Sequence, residues 1–420
     1  MDGSGLPAWA VRLRDERRRR LWSKKDMAVR LRAAAEEASS TLASRDGLVR
    51  MIGYWEGGER QVNDRYRTLY CRVFGMAEAQ LFDQGGSAAL AREAELFDTM
   101  ELARVASASD LGVGALEGIC DSVDLLCRAY PSTHGAVLRD RTRQRLGYVV
   151  ELLGRRLTLA QHRDLLVQAG WLAALLGCVH YDLGQFEDAE AARQAAHQMG
   201  SEAGHDELRA WALEMAAWFA LVDGRYEDVV ALSRAGQRLA GSSNAQVQLI
   251  LQEAKGHARL GDGTAARDAL SRGSVALDRL PLPDHPDHHF VFDHPKWVFY
   301  AATVLAWLED DEAAEEHARA ILTRHIRPDG TSPAPMRVAN ARIDLALVQA
   351  RRGELDAAVG EGVRAFEFDR RSLSDLVSRG SELANVLRMR YPGERLADDF
   401  HERLAVTRRG LHPAEPPAVA

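Results

Sequence analysis

Between residues 182 and 359 one short pattern returns five times: DLGQFEDAE, VDGRYEDVV, RLGDGTAAR, WLEDDEAAE and RRGELDAAV. Each joins the end of one helical stretch to the start of the next. The turn position holds Gly184, Gly224, Gly261, Glu309 and Gly353. Five residues later stands Ala189, Val229, Ala266, Ala314 or Ala358. Glycine supplies the left-handed backbone that ends a helix, and a small or compact side chain lets two antiparallel helices approach closely. Successive turns are 40, 37, 48 and 44 residues apart. Self-similarity at that period marks a helical repeat array, in which each unit buries its apolar face only by stacking on the next. The competing reading, an irregular helical bundle, must treat five equal offsets as coincidence.

The rest of the chain fits an all-α protein. From Leu90 onward Ala, Leu, Glu and Arg dominate and β-branched runs are scarce. Residues 88–107 and 113–130 are expected to be helices, then a turn at Pro131–Gly135 and a helix over 136–157. Residues 372–408 give two more helices, through Leu376/Val377, Leu383/Leu387 and Phe400/Leu404, expected to cap the open end of the array. FDQGGSAA (82–89), with two glycines and a serine, marks a boundary. The expected domains are 1–80, a head; 81–158, a helical linker or dimerisation region; 159–372, the repeats; 373–410, capping helices; and 411–420, a disordered Pro/Ala-rich tail.

The head is organised on SRDGLVRMIGYWEGGER (44–60). Leu48, Met51, Ile52 and Trp55 make one apolar helical stripe. Ser44 is placed to cap this helix, and Gly57 and Gly58 stop it. Its other face carries Arg45, Asp46, Val49, Arg50 and Tyr54. Upstream, Trp9, Leu13 and RDERRRR form a basic first helix, and Ser23–Asp26 reads as a capping box opening a second. Downstream, Asp64 is the expected cap of a helix with Tyr66, Leu69, Tyr70, Val73 and Phe74, ended by Gly75. Residues 1–80 hold 16 Lys+Arg against 11 Asp+Glu, a surplus of +5, while the remainder carries −12. A basic head on an acidic body suits a head that meets phosphate.

The order WAVRLRDERRRRLWSKKDMAVRL, LVRMIGYWEGGER, YRTLYCRVFG resembles the Cro/repressor-type helix-turn-helix domain over residues 8–76. In that family a W/Y-E-x-G-x-R segment, here Trp55-Glu56-Gly57-Gly58-Glu59-Arg60, follows the recognition helix. The resemblance implies that Arg45, Asp46, Val49, Arg50 and Tyr54 face base edges, and that Arg60 and Lys24 meet phosphate. One departure stands out. The turn before a recognition helix is ordinarily three or four residues, and here RAAAEEASSTLA lies between Leu31 and Ser44. In the first repeat, Leu176-Gly177, His180, Gly184, Phe186, Ala189 and Ala196 resemble the tetratricopeptide pattern in order. Cro-type heads on such bodies are similar to bacterial peptide-responsive regulators and to large actinobacterial regulators of the same layout.

A tetratricopeptide-like array lines its concave face with the first helix of each pair. That register places Trp171, Cys178 and Tyr181 there from the first unit, and Trp211, Glu214 and Trp218 from the second. The third contributes Gln248, Lys255 and Arg259, the fourth Lys296, Phe299 and Thr303, the fifth Asn340 and Arg351. Aromatic walls with a few polar groups suit a ligand or peptide; the same tryptophans also serve as core between helices. The insertion LPLPDHPDHHFVFDHPKWVFY (280–300) is proline-punctuated and aromatic. Three readings compete for it: a plug of Phe290, Val291 and Phe292 in the core, a pH-responsive lid, and a metal site. For the last, none of His285, His288, His289 and His294 has a partner four residues away in a clear helix, so no metal is assigned.

Cys71, Cys120, Cys127 and Cys178 form no CxxC pair and read as buried thiols of a reducing compartment. No stretch approaches 18 uninterrupted apolar residues, so no membrane span is expected, and the protein is expected in the cytoplasm. There is no GxGxxG, Walker A, GxSxG or HExxH sequence, so neither an enzyme nor a cofactor is indicated. The reading is a dimeric, sequence-specific regulator that binds a double-stranded DNA operator and takes a peptide, small-molecule or protein effector. The alternative is a protein-binding scaffold whose head does not bind DNA.

Overall fold

The computed structural model describes residues 6–35, 42–82, 92–93, 95–97, 111–369 and 372–409. Among them the regular structure is helical and no strand occurs. The chain divides into two compact units, Met1–Ala88 and Ala89–Ala420. The tail from 411 and most of the helix expected over 88–107 lie outside the described residues.

The first unit packs five helices around one core: α1 (Ala8–Arg19), α2 (Lys24–Ala33), α3 (Arg45–Glu56), α4 (Asp64–Phe74) and α5 (Glu78–Phe82). The Ser23/Asp26 capping box forms at the start of α2, and the Ser44 hydroxyl accepts the Gly47 N–H to open α3. The cap of α4 is Asn63, not Asp64: the Asn63 side chain accepts the Tyr66 N–H, and Asp64 is already the first helical residue. Gly75 ends α4 in the left-handed region, φ +69°. Leu48, Ile52 and Trp55 are buried on the back of α3, while Met51 is only half-buried. Trp55 sets its ring 4.9 Å from Tyr66 and 5.9 Å from Tyr70.

The second unit is an α-solenoid of six consecutive helix pairs. They are α8 (Leu159–Asp182) with α9 (Phe186–Ala203), α10 (Asp206–Val222) with α11 (Tyr226–Ala240), and α12 (Asn244–Arg259) with α13 (Gly263–Leu277). Then come α14 (His294–Trp307) with α15 (Asp311–His325), α16 (Pro335–Arg352) with α17 (Leu355–Ala365), and α18 (Leu373–Arg390) with α19 (Arg395–Arg409). All five repeated turns take the left-handed conformation, Glu309 included at φ +57°. Ala189, Val229, Ala266, Ala314 and Ala358 are fully buried where each pair closes.

α6 (Val113–Ala129) and α7 (Gly135–Leu153) share a core with α8. The last pair stacks on the pair before it, and α18 also reaches the first repeat. It packs against α8, where the buried Ser374 hydroxyl donates to the Tyr181 carbonyl at 3.0 Å, joining the last pair to the first. Helix α8 is long and apolar enough to cross a membrane, but most of that stretch is buried inside the unit. The four cysteines are free; Cys127 and Cys178 are buried, whereas Cys71 and Cys120 are only half-buried.

Candidate functional sites: an exposed basic helix and an enclosed pocket

In the first unit, α3 turns Arg45, Asp46 and Arg50 to solvent, with Val49 and Tyr54 half-buried beside them. Arg60 is exposed and stacks its guanidinium 5.2 Å from the Tyr54 ring. Lys24, at the start of α2, is exposed too, and its Nζ lies against Gly53 of α3. Among the described residues none of Lys24, Arg45, Arg50 and Arg60 is in an ion pair. The residues joining α2 to α3 are pinned at both ends. Arg32 donates to the Ala43 carbonyl at 2.7 Å, Arg72 to the Ala34 carbonyl at 3.3 Å, and Leu42 is buried. Residues 36–41 of the long connection lie outside the described residues.

The run RDERRRR behaves differently. Arg17 is buried and grips Glu56, at the end of α3, with two bonds of 2.6 Å. It also donates to the Trp22 carbonyl at 2.6 Å. Arg19 and Arg20 pair with the buried Glu16, and Arg20 reaches the Phe74 carbonyl at 3.0 Å. Much of the basic first helix is thus spent on holding α1 to α3 and α4.

In the second unit, the first helices of all six pairs line one pocket. The centres of water-sized spheres can occupy about 160 Å³ of it, against the roughly 10–15 Å³ that one water needs. Of the residues placed on the concave face from sequence, Trp211, Glu214, Trp218, Lys255, Lys296, Phe299 and Asn340 line this pocket, with Cys178 and Gln248. The others do not. Trp171 packs its ring 5.0 Å from Phe290, and Tyr181 stacks on Phe219 at 4.1 Å. Arg259 pairs with Glu382 at 2.9 Å and donates to the Tyr226 hydroxyl at 2.6 Å; it lines the adjoining smaller cleft, as Thr303 does. Thr303 donates to Asp344, and Arg351 is paired with Asp311.

Several pocket residues were missed. Asp182, Gln252 and Tyr300 each stand four residues after one that was named, and Arg337 three before Asn340. Helical spacing alone would have found them. Tyr130 and Pro131, from the turn after α6, could not be found that way.

The insertion closes over this pocket. Phe290 is wedged between Trp171 and Trp211, at 5.0 and 5.2 Å, and Phe292 is buried with its N–H on Asn244 at 2.9 Å. The plug reading therefore holds for both phenylalanines, whereas Val291 is only half-buried. Arg128 pairs with Asp287 at 2.9 Å, and the His289 ring lies 3.9 Å from Tyr130. Lys296 reaches back to donate to the His289 and Val291 carbonyls at 2.9 and 3.2 Å. Burial takes His288 down to about 4, so it stays neutral at the pH values where histidine switches ordinarily work.

Burial also sets the charges within. It raises the Glu214 carboxyl, which accepts from Gln248 Nε2 at 2.8 Å. It lowers Lys255 and Arg337, and takes Lys296 to about 7. Gln248 Nε2 is shared with the Tyr300 hydroxyl. Such an arrangement can hold a small molecule by aromatic contact and a few directed polar groups. No protein-family model matches the chain, and no curated protein is significantly similar to it.

Proposed function

We propose that the protein is a DNA-binding transcriptional regulator whose solenoid binds an effector. One observation carries the reading: α3 buries Leu48, Ile52 and Trp55 in the core and turns Arg45 and Arg50 to solvent, and among the described residues neither these nor Lys24 and Arg60 beside them is in an ion pair. A recognition helix needs that division, with a sealed back and side chains at its N-terminal turns free to reach base edges. Regulators of this class bind as pairs, because one head makes few contacts and paired half-sites supply the rest. We therefore expect a homodimer on its operator.

Selection of duplexes from fragmented genomic DNA by the full-length protein supplies the operator. On it, Arg50→Ala weakens binding by roughly 1–3 kcal/mol and relaxes discrimination at one base pair. Lys24→Ala weakens binding on every duplex and flattens the salt dependence. Arg50→Ala binding as tightly as the native chain would remove α3 from the interface. No retention of any duplex at low salt would leave the scaffold reading in its place, and a monomeric mass on DNA would remove the dimer.

A further inference from the structure

The pocket holds polar groups that the chain leaves unanswered. Lys255, midway along α12, makes no ion pair or hydrogen bond; its Nζ lies 4.0 Å from the Tyr300 ring centre and 5.8 Å from that of Phe299. Arg337, on α16, makes no ion pair or hydrogen bond either, and the nearest attracting carboxylate is that of Asp293. Both are half-buried, and a cation drawn partly out of water without a bonded partner carries a cost that a bound anion would offset. The carboxylates nearby are already engaged. Glu214 accepts from Gln248, Asp375 accepts from Asn340 at 2.7 Å, and Asp287 is paired with Arg128. Independently, the amide oxygens of Gln248 and Gln252, both buried, meet no donor. The walls around these groups are flat and aromatic.

Cations that no side chain of the protein bonds, buried acceptors without donors and flat apolar walls define the complement. We propose that the pocket binds a small planar organic anion, a carboxylate or sulfonate on a ring system, whose acid group is met by Lys255 and Arg337 and whose body lies against Trp211, Trp218 and Phe299. A hydroxyl or amine on that body would answer Gln248 and Gln252. The space suits a fused-ring molecule and is too small for an extended peptide. This inference rests on the reading of the solenoid as an effector-binding unit.

The test uses two probes of one shape, 2-naphthoate and its neutral amide 2-naphthamide, titrated calorimetrically into the full-length protein. The expected result is one naphthoate per chain, bound about tenfold or more tighter than the amide. Lys255→Met and Arg337→Met each bring the two probes toward parity; should one variant fail to fold, the other decides. Four outcomes overturn the proposal: no naphthoate binding at millimolar concentration, equal affinity for the amide, a preference that survives both substitutions, or displacement of naphthoate by equimolar inorganic phosphate. No DNA is needed. A chain that prefers naphthoate but retains no duplex overturns the regulator reading alone, and one that retains duplex without that preference overturns only the present one.

Discussion

Arg17→Met separates a structural arginine from a DNA-facing one. Arg17 and Glu56 are 7% and 4% exposed and joined by two bonds of 2.6 Å. The Glu56 bond holds the Arg17 guanidinium above its usual pKa, so the guanidinium is charged at neutral pH. Methionine keeps most of the stem and removes the charge, which leaves the Glu56 carboxylate buried and unanswered. Breaking a buried pair from one side costs about 3–5 kcal/mol. The unit is small and the pair lies near its surface, so the lower figure applies. At 1.36 kcal/mol per factor of ten, about 3 kcal/mol corresponds to roughly a hundredfold faster amide exchange through opening of α1 and α3. Hydrogen exchange read by mass spectrometry on the full-length protein reports it, through Trp22 N–H, bonded to the Arg17 carbonyl, and Gly57 N–H, bonded to that of Gly53. Glu56→Leu costs less, because Arg17 keeps the Trp22 carbonyl. The double variant returns to within about 1 kcal/mol of native, since an apolar pair of similar volume replaces an ion pair at little net cost. Less than tenfold acceleration in Arg17→Met, or a double variant as labile as the single one, would refute the reasoning.

Two further outcomes follow from the second unit. Glu309→Gly stabilises it by about 1 kcal/mol, or roughly 2 °C in a thermal melt, because Glu309 alone of the five repeated turns lacks glycine in the left-handed conformation; a lower melting temperature would mean that its side chain contributes more than its backbone costs. Lys296 is neutral in the folded protein above about pH 7 and protonated in the unfolded chain up to about 10.5, so the unfolded state binds more protons in that window and the Lys296 contribution to stability rises with pH. The native chain should gain up to about 1.4 kcal/mol per pH unit over Lys296→Met between pH 7 and 10 in urea denaturation, and a difference that stays flat or falls would contradict the burial of this amine.

The helix pairs were legible because their signals are local. A left-handed turn at Gly184 and a small residue at Ala189 lie five positions apart, and the chain's own geometry carries one to the other. The capping box at Ser23 and the apolar back of α3 are of the same kind. Half of the pocket was readable for that reason too, since the register of one helix places its neighbours at three and four residues. What no local pattern carries is partnership across distance. RDERRRR reads as a basic surface until Glu56, 39 residues away, takes Arg17. The solenoid reads as open until Ser374 reaches Tyr181 across 193 residues. Closure depends on small rotations accumulated from pair to pair, each set by how particular side chains pack. Repeat spacing was enough to say that there would be an inner face of first helices. Only the packed pairs decided that this face would bound a pocket, and which of its charges would bond to one another.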